Sequence, residues 1–270
     1  MGKTTIEWTE LTWNPFVGCE IVSAGCTNCY AMKMAHRLEG MMTASYMGTT
    51  KVVNGNTVWT GRINRSSDAT MQMPLRKPGS HLFFVNSMSD FWHENAKDEW
   101  RKEALDIMRR CPRHQFQVLT KRPQNIQPIL DRMEEKLPDN LWLGCTVEDH
   151  RVRDRIDILR QVPASIRFLS VEPMVAEPGQ MDLTDIHWVI GGGESGPGAR
   201  RMKPAWAREL RDQCLEQGVK YFFKQWGTYW NNPLVVEQKK SIYEAQALDP
   251  HGKGGSLLDG VAWKQFPRLP

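Results

Sequence analysis

Residues 5–38 read TIEWTELTWNPFVGCEIVSAGCTNCYAMKMAHRL. The first part, 5–18, alternates apolar and polar residues around Trp8 and Trp13 and stops at Gly18, which predicts a strand or an extended lead-in. The last part, from Cys29 to Leu38, follows Asn28 and reads as a helix with Gly40 as its stop. Between them lies a loop holding three of the six cysteines, Cys19, Cys26 and Cys29, separated by six residues and then two. The order strand, cysteine loop, helix places Cys29 at a helix N-terminus, where the backbone dipole stabilises a thiolate.

Three thiolates crowded together repel one another unless a cation shares their charge. Two metal centres suit the trio. A closed zinc site needs a fourth protein ligand, for which His36 is the candidate. A 4Fe–4S cluster takes four cysteines as its usual full set, so three leave one iron open for a small molecule such as S-adenosylmethionine. A disulfide framework is disfavoured in a chain this long with so few cysteines. Cys111, Cys145 and Cys214 stand alone and are assigned to packing.

Outward from this stretch the chain becomes regular. Strands are expected at 81–86, 115–120, 141–147, 166–171, 186–190 and 219–223, and helices at 96–110, 123–136, 149–161 and 204–217. Strand and helix alternating through short links build a parallel sheet with helical crossovers. With the lead-in, the strands number seven rather than eight. The fold class is therefore α/β, a partial (β/α) TIM-like barrel with parallel strands, with a doubly wound sheet as the alternative. Residues 40–80 interrupt the rhythm as an insertion, with a hairpin turn at Asn54-Gly55 and a short helix within 66–79. Residues 227–270 lack the helix rhythm and read as an irregular C-terminal extension packing on the barrel formed by 1–226.

Composition sets outer bounds. The 270 residues carry 35 Lys+Arg against 31 Asp+Glu, a net charge of +4, which permits a nucleic-acid partner without requiring one. The N-terminus has no apolar run resembling a secretory signal, and no stretch approaches the length of a membrane span, so a cytoplasmic protein without membrane partners is expected. The 11 tryptophans are read mostly as core.

In folds of this class the working residues gather at the carboxyl ends of the strands. Those ends carry Asn86, Ser87 and Asp90, then Lys121 and Arg122, then Glu148, then Glu172, then Gly192, Gly193 and Glu194, then Lys224. These are the candidate cofactor-binding residues: carboxylates to accept from an ammonium, cations to meet a carboxylate, and glycines to let a ligand approach the backbone.

The segments TWNPFVGCEIVSAGCTNCYA, FFVNSMSDFWHE, VLTKRP, LWLGCTVED, RFLSVEPM, WVIGGGESGPGARRM and FFKQWG, with the late turn Leu257-Leu258-Asp259-Gly260, resemble a phage-encoded three-cysteine family of unknown function. That family is similar to radical S-adenosylmethionine enzymes and distantly to spore photoproduct lyase. The resemblance implies a partial barrel with a 4Fe–4S cluster on Cys19, Cys26 and Cys29 and S-adenosylmethionine on the open iron. It further implies reductive cleavage to a 5′-deoxyadenosyl radical, an electron donor as partner, and a nucleic acid or nucleoside as substrate. Two features depart from the usual enzymes of this kind. Six residues, not three, separate the first two cysteines, and Gly-Gly-Glu comes late in the chain, leaving Asp90 or Glu194 as the ligand for the methionine amine. The rival expectation is a non-catalytic nucleic-acid- or partner-binding protein with a structural iron–sulfur or zinc site. The basic runs Arg109-Arg110, Lys121-Arg122 and Arg200-Arg201 are expected to suit phosphate contacts.

Overall fold

A computed structural model describes residues 4–268. The start of the N-terminal stretch read for a signal, and the last two residues of the C-terminal extension, lie outside these. Seven strands form one sheet in sequence order: β1 Leu11–Trp13, β2 Leu82–Val85, β3 Gln115–Thr120, β4 Leu141–Thr146, β5 Ile166–Val171, β6 Trp188–Gly192 and β7 Lys220–Gln225. Neighbours with a defined register run parallel, and among the described residues the first and last strands do not pair. The expected class is the observed one, an α/β fold with the strand order of a partial (β/α) barrel and an irregular tail. Sequential order with one crossover after another is what βαβ units of one hand produce.

The chain divides into two compact units. The first runs through Cys145 and includes Gln161–Ser165; the second holds Thr146–Arg160 and everything from Ile166 onward. In the first unit Leu11 pairs with Phe83 and Trp13 with Val85, and Val85 in turn pairs with Val118. All six residues of β4 are buried, as expected of a strand covered on both faces. The longer helices are α1 Tyr30–Gly40, α2 Asp98–Arg109 and α3 Ile126–Met133. Asp98 and Glu99 open α2 and Arg109 closes it, matching the helix dipole at both ends. The insertion contributes the hairpin Thr50–Val53 with Asn56–Trp59, whose turn residues Asn54 and Gly55 have φ of 49° and 76°.

The second unit pairs β5, β6 and β7 and carries α4 Asp154–Gln161 and α5 Pro204–Glu216. β6 begins two residues later than its hydrophobic run predicts, because Ile186 donates its N–H to Leu183 in a turn through Asp185, whose φ is 60°. The tail lies along the β7 edge, where Phe223 donates to the Trp263 carbonyl and Lys264 bridges Phe222 in antiparallel fashion. It also contains helical structure that its composition does not announce. Ile242–Leu248 forms α6 behind a capping box of Ser241 and Glu244. Of the tryptophans, Trp13, Trp92, Trp188 and Trp226 are completely enclosed, in keeping with a core role.

Candidate functional site

Each element around the cysteine loop has a local reason. Asn14 ends β1 and accepts the Met88 N–H at 2.9 Å while donating to the Ser87 hydroxyl at 3.1 Å. Gly18 then donates to the Met88 carbonyl at 3.0 Å, so the loop leaves the sheet pinned to the segment after β2. Gly18 has φ +101°, and a Cβ there would stand 2.0 Å from the Arg62 carbonyl oxygen; only glycine fits. On the far side, Gly61 donates to the Cys19 carbonyl at 3.1 Å. The insertion therefore braces the loop.

Cys26 ends a short 3-10 turn, and Cys29 is the N-cap of α1 with no side-chain capping bond, so its sulfur is not spent on the helix. The helix itself is held by Ala31, Met32 and Ala35, buried with Val17, Trp59 and Met88, and Cys19 and Cys29 pack against this same cluster. Among the described residues, the three sulfurs are not all within 4.8 Å of one another. One tetrahedral zinc, with Zn–S near 2.3 Å, would draw its sulfurs to about 3.8 Å. A cluster binds each thiolate to a different iron and needs a wider spread. His36 does not join the sulfurs in such a group either; it is exposed, with Nδ1 at 3.3 Å from the Thr50 hydroxyl. Three sulfurs with no fourth protein ligand beside them among the described residues are a donor set that a 4Fe–4S cluster with one open iron can use.

Behind Cys19 stands Arg122. Its Nη1 lies 3.9 Å from the Cys19 sulfur and 3.3 Å from an Asp90 oxygen, and its Nε donates to Glu94 at 3.0 Å. The guanidinium is almost fully enclosed, at 2% exposure. Asp90 is fixed in turn by the Thr120 hydroxyl at 2.6 Å and the backbone N–H groups of Trp92 and Lys121, each at 3.0 Å. Burial, with Asp90 adding to it, pushes the Cys19 thiol up to about 12, while Arg122 pulls it down. A metal that claims this sulfur must therefore displace a firmly held proton. Glu20, His93 and Glu94 form a compact group of ligand atoms beside Arg122. With a guanidinium already among them, the two glutamates read as its counter-charges. His93 is held below the usual histidine range by burial and then by Arg122, and its Nδ1 accepts from Asn95.

Of the other predicted residues in this unit, Ser87 accepts the Tyr30 hydroxyl on its carbonyl at 3.2 Å. Asn86 is 3% exposed, yet among the described residues neither its amide nitrogen nor its oxygen has a hydrogen-bond partner. A buried amide with both ends open is costly unless a ligand satisfies it. Asp90 supports Arg122, whose guanidinium is enclosed. Sequence reasoning does not single out Asn14, Thr120, His93 and Glu94; polar residues at strand ends and in the following turns are the available signal.

The remaining predicted residues belong to the second unit, where each carboxylate has a cation. Glu148 accepts from Arg155 at 2.9 Å, Glu172 lies 3.3 Å from Lys224, and Glu194 is clasped by the backbone and side chain of Arg200 at 2.9 Å. Glu194 is thus engaged by Arg200. The glycine run is explained by protein contacts. A Cβ on Gly192 would meet Glu172 at 2.6 Å, and one on Gly193 would meet the Trp226 carbonyl at 2.2 Å. The basic runs are largely engaged too: Arg109 with Glu135, Arg110 with Asp106, Arg122 with Asp90, and Arg200 with Glu194.

The profile of a family described as protein of unknown function, DUF5131, matches residues 3–267. The chain belongs to this family. A search of curated proteins found no match. Among solved structures the chain is similar to a mutant spore photoproduct lyase with bound AdoMet and dinucleoside spore photoproduct, at 13% identity and a TM-score of 0.40. That likeness covers 71% of this chain and 59% of the other, so the DUF5131 chain spans less than two thirds of that structure. Among the described residues no helix is long and apolar enough to cross a membrane.

Proposed function

We propose that this DUF5131 protein is an iron–sulfur enzyme of the radical S-adenosylmethionine type acting on a nucleic acid or nucleoside. The observation that carries the reading is the cysteine loop: three thiols on a strand–loop–helix, with a buried guanidinium against one of them. Cys19, Cys26 and Cys29 would hold a 4Fe–4S cluster. With S-adenosylmethionine bound, such a cluster supplies reductive cleavage of the sulfonium to a carbon radical.

The chain's own residues have definable tasks. Arg122 offsets the negative charge that thiolates and sulfide bring into a buried site. Asp90 and Thr120 fix Arg122, and Gly18 sets the direction in which Cys19 enters. Asn86 offers a buried donor and acceptor to a polar ligand beside the loop. Burial of Cys26 keeps water from its sulfur, while Cys19 is half-buried. The substrate class rests on the sequence resemblance. On the surface, Trp230, 52% exposed with the Arg201 guanidinium 5.5 Å from its ring, suits stacking with a base.

Anaerobic reconstitution tests the reading. Iron and sulfide near four per chain, visible absorbance bleached by dithionite, and 5′-deoxyadenosine formed from S-adenosylmethionine are expected, all lost in Cys26→Ala. Stoichiometric zinc in a colourless protein, or an intact cluster that yields no 5′-deoxyadenosine, would overturn the enzymatic reading.

A further inference from the structure

Two segments of the second unit are tied together at the surface. One, 200–203, lies between β6 and α5; the other, 229–231, follows β7. Asn231 makes the tie. Wholly buried, it accepts the Met202 N–H at 3.1 Å on its side-chain oxygen and donates to the Trp226 carbonyl at 2.9 Å. Met202 is 2% exposed, while Arg201 and Lys203 on either side of it are exposed. Alternation of this kind places residues two apart on one side of an extended segment. Arg201 and Lys203 therefore share the outer side.

Each of these cations stands by an indole. The Arg201 guanidinium is 5.5 Å from the Trp230 ring and also donates to the Trp230 carbonyl, and the Lys203 ammonium is 5.7 Å from the Trp206 ring. Trp206 lies in the first turn of α5 and is half-buried; Trp230 is 52% exposed. Among the described residues neither Arg201 nor Lys203 forms an ion pair, unlike Arg200, Arg208 and Arg211 on the same stretch of chain. α5 opens without a side-chain cap or an acidic residue in its first turn, so its dipole adds positive potential beside Lys203.

Cations alone would suit any polyanion. Two indoles, each beside a cation with no ion pair, suit a polyanion whose units carry flat rings. In a duplex those rings lie on one another; in a single strand they are free to lie on an indole. We infer that this face binds an unpaired nucleic-acid strand, with bases stacking on Trp230 and Trp206 and phosphates meeting Arg201 and Lys203. The inference rests on the nucleic-acid reading above and narrows it to a single strand. Both segments leave the sheet from the carboxyl ends of their strands, where folds of this class keep their chemistry.

The probe is a short, fluorescently labelled oligothymidylate titrated into the cluster-loaded protein, with the same strand annealed to its complement as the comparison. Anisotropy should show the strand binding about tenfold tighter than the duplex, with tryptophan emission falling as it binds. Trp230→Ala should weaken strand binding at least about fivefold. Arg201→Glu/Lys203→Glu should also weaken it, and should lower the slope of log affinity against log salt by about 1.4, the share of two phosphate contacts on a single strand. Iron content should stay as in the parent. Parent-like strand binding by both variants would overturn the inference. So would a duplex bound as tightly as the strand, or a loss confined to the charge reversal, which would leave a surface for acidic proteins as much as for nucleic acid. A protein that takes up no cluster but loses strand binding in both variants would keep this face and sink the iron–sulfur reading. A parent that forms 5′-deoxyadenosine yet binds no strand would do the reverse.

Discussion

The Arg122 guanidinium lies 3.9 Å from the Cys19 sulfur and 3.3 Å from an Asp90 oxygen, with both charged side chains nearly closed off from water. Breaking such a pair from one side leaves a buried charge uncompensated, which costs about 3–5 kcal/mol. Arg122→Gln should therefore lower stability by roughly 3 kcal/mol in denaturant melts and reduce iron uptake together. Adding Asp90→Asn should restore much of the stability but not the iron uptake, because the cation facing Cys19 is still missing. If the double variant is no more stable than Arg122→Gln, the pair is not coupled as described.

A second expectation concerns the way Cys19 enters the site. Gly18→Ala puts a methyl 2.0 Å from the Arg62 carbonyl at a φ of +101° and should cost more than 2 kcal/mol while impairing metal loading. Gly40→Ala is the matched control. It lies at the end of α1 with nothing within 4 Å of the added Cβ, and should be neutral or stabilising by about 0.5–1 kcal/mol. Chemical denaturation with iron analysis of both variants checks the contrast.

The six cysteines should separate in reactivity. Cys111, Cys145 and Cys214 are fully enclosed, and burial pushes the Cys214 thiol up to about 12. In native metal-free protein at pH 8, iodoacetamide should leave these three unmodified while Cys29, partly exposed, reacts first. Mass spectrometry of the alkylated peptides gives the order; rapid labelling of Cys214 would contradict the packing.

Much of this architecture was legible because it depends on local periodicity. The strand at 166–171 and the Asn54-Gly55 turn need only a few neighbours to specify them. The inner arrangement was not legible for the opposite reason. Asp90 and Arg122 meet only because β2 and β3 lie side by side, and no local pattern tells a strand-end carboxylate facing a ligand from one facing a guanidinium. Glu148 and Glu194 illustrate this, since Arg155 and Arg200, seven and six residues later, fold back onto them. The glycines at 192 and 193 read in sequence as ligand contacts, yet their space is taken by Glu172 and Trp226.

Acid should loosen the tail through a small charge cluster in the second unit. Arg208 on α5 pairs with Glu237 at 2.7 Å and with Asp259 at 2.7 Å, and Arg211 also reaches Asp259. The bonds to Arg208 hold both carboxyls below their usual range. A carboxyl depressed in the folded state contributes fully above its unfolded value, near 4, and that contribution disappears as pH falls through the lower folded value. Amide exchange across 233–266 should therefore accelerate below about pH 4 and not between pH 6 and 8. Arg208→Gln should show faster exchange at neutral pH and a shallower acid step.

Asn86 provides the sharpest separation of stability from function. Its amide is buried with neither end satisfied, so in the ligand-free protein it is a cost rather than a support. Asn86→Leu keeps approximate volume and removes the unpaired groups, and should raise the stability of the metal-free protein by about 1–3 kcal/mol. The same change removes the donor and acceptor offered to a polar ligand. S-adenosylmethionine should then bind the reconstituted variant at least tenfold more weakly in equilibrium dialysis, with iron content intact. A variant that gains stability and binds S-adenosylmethionine as well as the parent would assign Asn86 to some other ligand; one that loses stability would mean the amide is satisfied within the folded chain.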